Sequence, residues 1–313
     1  MTTLRDIGEL AAIERIGKRL PSHRDVLLGA GDDCAVVRPE KNAAQDWVLT
    51  SDPVIEGTHF LPGTEACAVG HKAVARILSD IAAMGAVPRW SLLDIVAPAD
   101  TPVQSFDELY DGAVALAAEY DLLIVGGDLA EGPGLEVHAF GLGSVPSGKA
   151  VLRSGAHRGD LVFVTGELGG SSEGRHLTVQ PRVREGVWLR DWATAMIDVS
   201  DGLASDVRHL TTLSRTGCDL NAEAVPVSPA VADMADARSP LDHALHDGED
   251  FELLFTLPEE KEDAFLDAWR GAFPLPCTRI GVMTDRTDLI QCVFPDGETF
   301  AVEGTGYAHF RTT

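Results

Sequence analysis

Segments with a helical period alternate with short β-rich segments along nearly the whole chain, and this alternation restricts the fold most. Three segments space apolar side chains three and four residues apart, which predicts amphipathic helices over residues 4–20, 69–84 and 105–120. Between and after them lie runs rich in Val, Ile and Leu, at residues 34–37, 47–50, 90–96, 122–125 and 137–145. Such alternation predicts helices layered on sheets, so we expect an α/β fold.

A stretch rich in turn-forming residues, PSGKAVLRSGAHRGD, follows the last of these strands. Beyond it a second α/β series begins, with strands predicted at residues 161–165, 252–257, 280–282 and 289–293 and a helix after Asp201-Gly202. A chain of 313 residues is long enough for two domains of ordinary size. We therefore expect one domain over residues 1–148 and a second over residues 149–313.

The charge of the chain is strongly one-sided. It carries 25 Lys and Arg against 49 Asp and Glu, a formal net charge of −24. Such a chain repels the phosphate backbone of nucleic acids and anionic membrane surfaces, so we expect neither as a partner. If the protein handles small anions, a cation must lie between them and the protein.

Targeting signals and cysteines point to the cytoplasm. The first residues contain Asp6, Glu9 and Glu14 where a signal peptide needs an uncharged apolar stretch. The most apolar long window, residues 66–86, still contains His71, Lys72, Arg76 and Asp80. The five cysteines are odd in number and widely spaced, which favours a reducing compartment over a disulfide scaffold or a zinc site.

Acidic residues recur beside apolar stretches and in glycine-flanked turns. These clusters include Asp32-Asp33, Asp52, Asp80, Asp128, Asp198, Asp201 and Glu249-Asp250. Any one of them is more simply a turn or a helix cap, as for Ser200 or Asp201 before a helix. Their recurrence matters because ligands of α/β proteins gather at strand ends. Hard oxygen ligands without clustered Cys or His favour Mg²⁺.

One motif is a false lead. Residues 143–150, GSVPSGKA, nearly fit the phosphate-binding loop pattern G-x-x-x-x-G-K-[ST]. However, Ala150 replaces the hydroxyl that would hold Mg²⁺, Pro146 interrupts the loop, and no helical period follows. We interpret the segment as a loop at the domain junction.

Taken together, the ordered motifs identify a family. In chain order they read LGAGDDCAVV, LTSDPVIEGTHF, ARILSDIAAMGA, IVGGDLAEG, LRSGAHRGD, MIDVSDGLASDVRHL, GEDFELLF and GYAHF. This series closely resembles thiamine-monophosphate kinases, in the superfamily that includes aminoimidazole ribotide synthetase and selenophosphate synthetase. The resemblance runs from about residue 7 to residue 310. It implies phosphoryl transfer from ATP to thiamine phosphate, an N-terminal sheet that pairs with its twin in a homodimer as a barrel-like structure, and a C-terminal α/β sandwich.

The resemblance also implies roles for individual residues. The ligands of several Mg²⁺ ions correspond to Asp33, Thr50, Ser51, Asp52, Asp80, Asp128, Asp198 and Asp201. Among these, Asp52, Asp128 and Asp198 would support the transfer itself, with no general base. The nucleotide contacts correspond to Tyr110, Gly127, Asp128, Arg153 and Ser200. The substrate contacts correspond to His59, Glu249 and Tyr307.

The implied chemistry agrees with the charge of the chain. Carboxylates that collect divalent cations let a strongly acidic protein accept two anionic phosphate chains. The acceptor oxygen of a phosphate is already ionised at neutral pH, so no general base is needed, and transfer relies on in-line positioning and electrostatics. Arg153 suits a bidentate phosphate contact.

Simpler structural readings remain open beside these roles. Lys72 and Arg76 share one helical stripe with Asp80, which is typical of a solvated charged face. His59, Tyr110 and Tyr307 could be packed residues and Arg153 a surface residue. Two further readings of the whole chain also stay open: another ATP-using enzyme of the superfamily, similar to aminoimidazole ribotide synthetase, or a non-catalytic acidic metal binder.

The sequence departs from the family pattern at three places. Leu129 follows Asp128 where a threonine is usual, and Phe251 stands where tyrosine is usual. The stretch after Gly169 looks shorter than the helical segment of relatives. We expect the shortening to affect local packing and to be dispensable for chemistry.

Overall fold

The structure is a computed structural model in which residues 3–302 are described. The helices are α1 (Leu4–Gly17), α2 (Ala66–Ala83), α3 (Val103–Glu119), α4 (Val183–Leu189), α5 (Leu203–Ser214), α6 (Pro240–His246) and α7 (Glu262–Ala272). Strands β1 to β7 are Val26–Leu28, Ala35–Val37, Gln45–Ile55, Val87–Ala97, Leu123–Gly126, Leu129–Glu131 and Glu136–Pro146. Strands β8 to β14 are Leu161–Thr165, Ala195–Asp198, Gly217–Asn221, Leu253–Leu257, Cys277–Thr284, Ile290–Val293 and Thr299–Ala301.

The first sheet contains β1 to β7. Its order is β1-β2-β3-β7-β4-β5, with β6 paired to β4. The strands are antiparallel except that β4 runs parallel to β5 and β6. Alternate residues face α2 and are buried, whereas the other side carries exposed apolar side chains. We call that side the open face; its exposed apolar residues are Leu49, Trp90, Leu92, Leu123, Val125 and Phe140.

The second sheet contains β8 to β14 in the order β14-β13-β10-β12-β8-β11-β9. Only β10 and β13 pair in parallel. Strands β8 and β11 are buried along their whole length, as the central position of strands covered on both faces requires. Strand β9 lies at the edge of this sheet and ends at Asp198.

Helix α2 joins the two halves of the molecule. It packs on β3 and β7 of the first sheet, on α3 and α4, and on β9 of the second sheet. One continuous apolar cluster includes Leu78 of α2, Phe163 of β8 and Phe255 of β11. A shared core of this kind fixes the two sheets relative to each other, so residues from both can meet at one site.

The observed architecture confirms the predicted α/β fold with its two sheets. Strand β3 differs in extent, because it continues through the expected strand end at residue 50 to Ile55. Asp52 therefore lies inside a strand. Pro53 is tolerated there because β2 pairs only with residues 47–49, which leaves this part of β3 without a partner on that side. The domain boundary at residues 148 and 149 stays a prediction.

Among the described helices, none is both long enough and apolar enough to cross a membrane.

Candidate functional site

Three carboxylates from three different elements converge between the two sheets. Asp33 lies in the loop between β1 and β2, Asp80 on α2, and Asp198 at the end of β9. One carboxylate oxygen of each lies within 4.8 Å of the other two. We call these three residues the carboxylate cluster. Residues 47, 118 and 165 positions apart in the chain can meet here only because α2 bridges the sheets.

The electrostatics of the carboxylate cluster favour a cation. Burial, and after it the neighbouring charge of Asp33, raises the pKa of Asp198 to about 7. Burial and the charge of Asp52 raise the pKa of Asp80 well above its usual value. Ser79 Oγ donates to Asp198 Oδ2 at 2.5 Å, and Thr50 Oγ1 donates to Asp80 Oδ2. These two neutral donors relieve little of the crowding of negative charge.

One atom of the carboxylate cluster has no hydrogen-bond donor in the part of the chain that the structure describes. Asp33 Oδ1 accepts from Arg153 Nη2 at 2.7 Å, but the buried Asp33 Oδ2 has no partner among the described residues. A buried carboxylate oxygen without a donor costs free energy unless a ligand satisfies it. Convergent hard oxygens with an unsatisfied atom fit Mg²⁺, which prefers carboxylate and hydroxyl ligands.

An arginine links this cluster to a second group of charges. Arg76 of α2 donates from Nη2 to Asp52 Oδ1 at 2.9 Å and from Nη1 to Glu249 Oε1 at 3.3 Å. Asp52 faces α2 because alternate residues of β3 do so. Arg76 thus connects the first sheet with the loop before β11, and its buried Nε has no partner among the described residues.

Glu249 is surrounded by donors. Lys72 Nζ lies 2.7 Å from Glu249 Oε1, and His176 Nδ1 lies 3.2 Å from Glu249 Oε2. Burial alone would raise the pKa of Glu249, but the hydrogen bonds of His176 and Lys72 and the charge of Arg76 lower it to about 2. The carboxylate is therefore ionised at any physiological pH.

Lys72 is fully buried at 0% exposure, yet each of its three ammonium hydrogens faces an acceptor. The acceptors are the His59 carbonyl oxygen at 2.6 Å, His176 Nδ1 at 2.6 Å and the Glu249 carboxylate. Burial lowers the pKa of Lys72. The ring of His59 accepts from the Ile55 backbone N–H at Nδ1, 3.0 Å away. We call Lys72, Arg76, His176 and Glu249 the Glu249 cluster.

The loop that carries Glu249 has an unusual backbone. Glu249 and Phe251 both adopt positive φ angles, 55° and 51°, which cost free energy in residues with a Cβ. The conformation is held because Glu249 N–H donates to the Ser200 carbonyl at 2.7 Å and Phe251 N–H to the Val199 carbonyl at 2.8 Å. Strain supported in this way is typical of functional loops.

Ser200 and Asp201 lie at the start of α5 beside another acidic group. Asp206 Oδ2 accepts from the backbone N–H of Ser200 at 3.1 Å and of Asp201 at 3.3 Å. Asp201, Asp206 and His209 each bring one potential ligand atom to within 4.8 Å of the other two. Burial and the charge of Asp201 raise the pKa of Asp206 well above its usual value.

The remaining predicted residues lie elsewhere. Ser51 pairs with Phe140 on the open face, so its side chain points away from Thr50 and Asp52. Asp128 is exposed between β5 and β6, and Tyr110 packs on Phe106 with ring centroids 5.2 Å apart. Gly127 is required where it lies, because a Cβ there would come within 1.8 Å of the Leu93 carbonyl oxygen. Tyr307 lies outside the described residues.

The sequence alone indicates no functional role for three residues of the Glu249 cluster. The spacing of Lys72 and Arg76 is typical of a solvated face, but both side chains point into the molecule. One feature of the sequence does point to this arrangement: Lys72, Arg76 and Asp80 are spaced four residues apart on an otherwise apolar helix. His176 comes from the shortened stretch that was expected to matter only for packing. Nothing in the sequence marks it as a neighbour of Glu249.

The chain is similar to known proteins over nearly its whole length. Residues 31–145 match the N-terminal domain of AIR synthase related proteins and residues 156–290 match the C-terminal domain. The thiamine-monophosphate kinase of Escherichia coli K12 is 38% identical over 97% of this chain and 99% of its own length.

Two solved structures are also similar. The first is "AaThiL complexed with AMPPCP and TMP", with a TM-score of 0.83 and 29% identity over 99% of both chains. The second is the thiamine-monophosphate kinase of Stenotrophomonas maltophilia K279a, with a TM-score of 0.75 and 33% identity over 91% of this chain and 96% of that one.

Proposed function

The chain belongs to the thiamine-monophosphate kinases within the AIR synthase related family, and on this premise we propose how its residues divide the work. It is an ATP-dependent kinase whose acceptor is thiamine phosphate and whose products are thiamine diphosphate and ADP. One observation carries the assignment of the site: the buried carboxylate cluster lies beside the Glu249 cluster, and Asp52, which accepts from Arg76, lies between the two.

The carboxylate cluster is the metal-binding part of the site. Asp33, Asp80 and Asp198 would hold Mg²⁺, with Thr50 and Asp52 next to them on β3 and Asp201 at the start of α5. Bound Mg²⁺ supplies positive charge that neutralises phosphate oxygens and the charge that develops during transfer. Ser51 would take part through its backbone, since its side chain is on the open face.

The nucleotide extends, in this proposal, from the carboxylate cluster toward the Gly127-Asp128 turn. Asp52 pairs with Ala139, Ala139 pairs with Leu93, and Gly127 packs against Leu93, so this turn ends the row of the sheet that starts at Asp52. Three strand spacings separate the turn from Asp52, about 14 Å. Asp128 would bind metal and phosphate at one end of that row. Tyr110 would contact the base of the nucleotide, and Arg153 and Ser200 would contact its phosphates.

The Glu249 cluster is the acceptor part of the site. Thiamine phosphate has a cationic ring and a polar aminopyrimidine as well as its phosphate, and an ionised carboxylate can meet either ring. His59 lies next to this cluster through its carbonyl contact with Lys72. Tyr307 is kept as the aromatic contact for the pyrimidine.

The transfer itself needs orientation more than acid–base chemistry. The acceptor oxygen is ionised at neutral pH, so no residue must remove a proton from it. Buried, fixed charges around the two phosphate chains align them for in-line attack and lower the barrier without reorganising. No phosphorylated side chain is required along this route.

We also propose a cytoplasmic homodimer. The open face exposes a contiguous set of apolar side chains, with Leu123 at 59% and Val125 at 60% exposure, and a second copy is the natural cover for such a sheet. Gly127 and Asp128 follow β5 at the same edge, so dimerisation would border the nucleotide site. The five unpaired cysteines favour a reducing compartment.

A parallel assay tests the substrate. ADP release is measured with ATP, Mg²⁺ and one of three acceptors: thiamine phosphate, thiamine or formylglycinamidine ribotide. We expect turnover only with thiamine phosphate. Turnover with the ribotide would instead support an enzyme similar to aminoimidazole ribotide synthetase, and no turnover with any acceptor would support a non-catalytic metal binder.

A further inference from the structure

Residues 171–177 form a short segment that contacts the Glu249 loop at two adjacent positions. The segment consists of two 3₁₀ turns, Ser171–Glu173 and Arg175–Leu177. Its Arg175 contacts Asp250 and its His176 contacts Glu249. Two neighbouring side chains of one segment therefore hold two neighbouring side chains of the other. The two side chains have different partners, since Glu249 contacts Lys72 and His176, whereas Asp250 accepts from Gly169 and Ser171.

Asp250 is the fixed point of this contact. It is 1% exposed and accepts from Arg175 Nη2 at 2.5 Å, from Ser171 Oγ at 3.0 Å and from Gly169 N–H at 3.0 Å. Arg175 also donates from Nη1 to the Glu167 carbonyl at 2.9 Å. A buried carboxylate with this many donors holds the start of the segment rigidly.

His176 is the part that reaches the site. Its side chain is 13% exposed, and Nδ1 lies 2.6 Å from Lys72 Nζ and 3.2 Å from Glu249 Oε2. In the neutral ring Nδ1 accepts from the lysine, and in the charged ring it donates to the carboxylate. Either way the imidazole fills the space between the two charged groups and limits where the Glu249 carboxylate can lie.

We propose that the 171–177 segment forms one wall of the acceptor site and that His176 is a positioning residue, which orients Glu249 and Lys72 for thiamine phosphate. The proposal rests on the proposed function, because it takes the Glu249 cluster as the acceptor part of the site. It replaces the expectation that this stretch is dispensable for chemistry. Because His176 acts through Glu249 and Lys72, its loss should affect the acceptor and leave the nucleotide unaffected.

Steady-state kinetics of the full chain test this with two substitutions of His176. Leucine removes the ring nitrogens at similar size, and asparagine keeps a polar atom near the place of Nδ1. We expect His176→Leu to raise KM for thiamine phosphate about tenfold, as loss of one charged hydrogen bond predicts, with KM for ATP within about twofold of wild type. His176→Asn should stay within about threefold of wild type for both substrates.

Arg175→Gln gives a second, independent measurement, and Arg270→Gln on α7 is its matched control, at a side chain that is 69% exposed and lies outside the 171–177 segment. Arg175→Gln should raise KM for thiamine phosphate selectively, and Arg270→Gln should leave both KM values unchanged. If His176→Leu does not fold, this pair decides the question alone.

Unchanged acceptor KM in both His176→Leu and Arg175→Gln overturns the inference, as does an equal rise of both KM values. An asparagine variant as impaired as the leucine variant also overturns it. A wild-type protein without thiamine phosphate kinase activity would instead refute the proposed function, so the two failures are distinguishable.

Discussion

Asp33, Asp80 and Asp198 bring three carboxylates so close together that each charge disfavours the others. This repulsion lowers the stability of the folded state, but the same concentration of negative charge would favour the binding of a divalent cation. Neutral asparagine at position 198 keeps the shape of the side chain and removes the charge. It therefore separates the proposed metal-binding role of Asp198 from its role in packing.

We expect Asp198→Asn to lower kinase turnover at least about a hundredfold, because a charge needed to hold the metal is lost. Without divalent ions at pH 8 the variant should melt at a higher temperature than wild type, since like-charge repulsion is relieved. Added Mg²⁺ should raise the melting temperature of wild type more than that of the variant. A variant with wild-type turnover would contradict the assignment of the metal site.

The pH dependence of stability follows from the same carboxylates. The folded-state pKa of Asp198 is about 7, above the value of 3.8 for an unperturbed Asp. The folded protein thus binds this proton more tightly than the unfolded chain does. Its contribution to stability is complete below pH 4 and is lost as the pH rises through 7. Burial also raises the pKa of Asp32 to about 7, whereas burial lowers that of His209 to about 4 and opposes the trend.

Metal-free wild-type protein should therefore melt at a higher temperature at pH 6 than at pH 8. Saturating Mg²⁺ should flatten or reverse this difference, because the metal binds the ionised form. Calorimetry at the two pH values measures the difference in melting temperature. Asp198→Asn is the comparison, and its melting temperature should change less with pH than that of wild type. If the metal-free protein melted at a lower temperature at pH 6 than at pH 8, this explanation of the pH dependence would be ruled out.

Single residues differ in how far the sequence reveals them. Asp52, Asp80 and Asp198 are visible as acids beside apolar runs, and their convergence follows from the α/β fold. Lys72 and Arg76 are misread because their partner Glu249 lies 177 and 173 positions further along the chain. Only tertiary structure shows that this stripe of α2 faces a buried carboxylate and not water.

At the scale of elements, α2 decides where the site forms. It packs so closely on α3 that a Cβ at Gly112 would lie 1.9 Å from the Cys67 carbonyl oxygen, and one at Gly70 would lie 1.9 Å from the Leu109 carbonyl oxygen. Two helices can approach this closely only where glycine replaces larger residues. The contact holds the helix that carries Lys72, Arg76 and Asp80.

Gly112→Ala should destabilise the protein by about 2 kcal/mol or more, because the added methyl group forces the helices apart. Gly271→Ala in α7 is the control, since a Cβ there meets nothing within 4 Å. That change should be neutral or stabilising by up to about 1 kcal/mol. Urea unfolding of both variants measures the difference. Equal effects would show that the α2–α3 contact is not tightly packed.

The elements themselves were largely predictable, since apolar periodicity located the main helices and strands. The 171–177 segment was not, because two 3₁₀ turns have no period to detect. The extension of β3 to Ile55 could not be predicted either. A proline at position 53 indicates the end of a strand, and only the structure shows that β2 pairs with β3 no further than Leu49.

At the scale of the whole molecule, the open face predicts self-association. Wild-type protein should elute as a dimer in size-exclusion chromatography with light scattering. Val125→Asp places a charge within the open face and should give a monomer, because the charge buried by a second copy would lack a partner. Leu213→Asp on α5, exposed at 43%, is the control and should remain dimeric. A monomeric wild type, or a dimeric Val125→Asp variant, would exclude this interface.

The distribution of the net charge of −24 can also be described at this scale. Part of the excess is buried in the carboxylate cluster and beside it, where it would attract the cations that the proposed anionic substrates need. The rest is spread over the surface, where it favours solubility.

The proposed function depends on direct, metal-assisted transfer of a phosphoryl group from ATP to thiamine phosphate. ATP labelled in its γ-phosphoryl group is incubated with thiamine phosphate and the wild-type protein, with millimolar-scale Mg²⁺ or with EDTA, and the labelled products are separated. We expect label in thiamine diphosphate with Mg²⁺, none with EDTA, and no labelled protein at any time. Label on the protein would show that transfer is not direct, and undiminished transfer in EDTA would show that it is not metal-assisted.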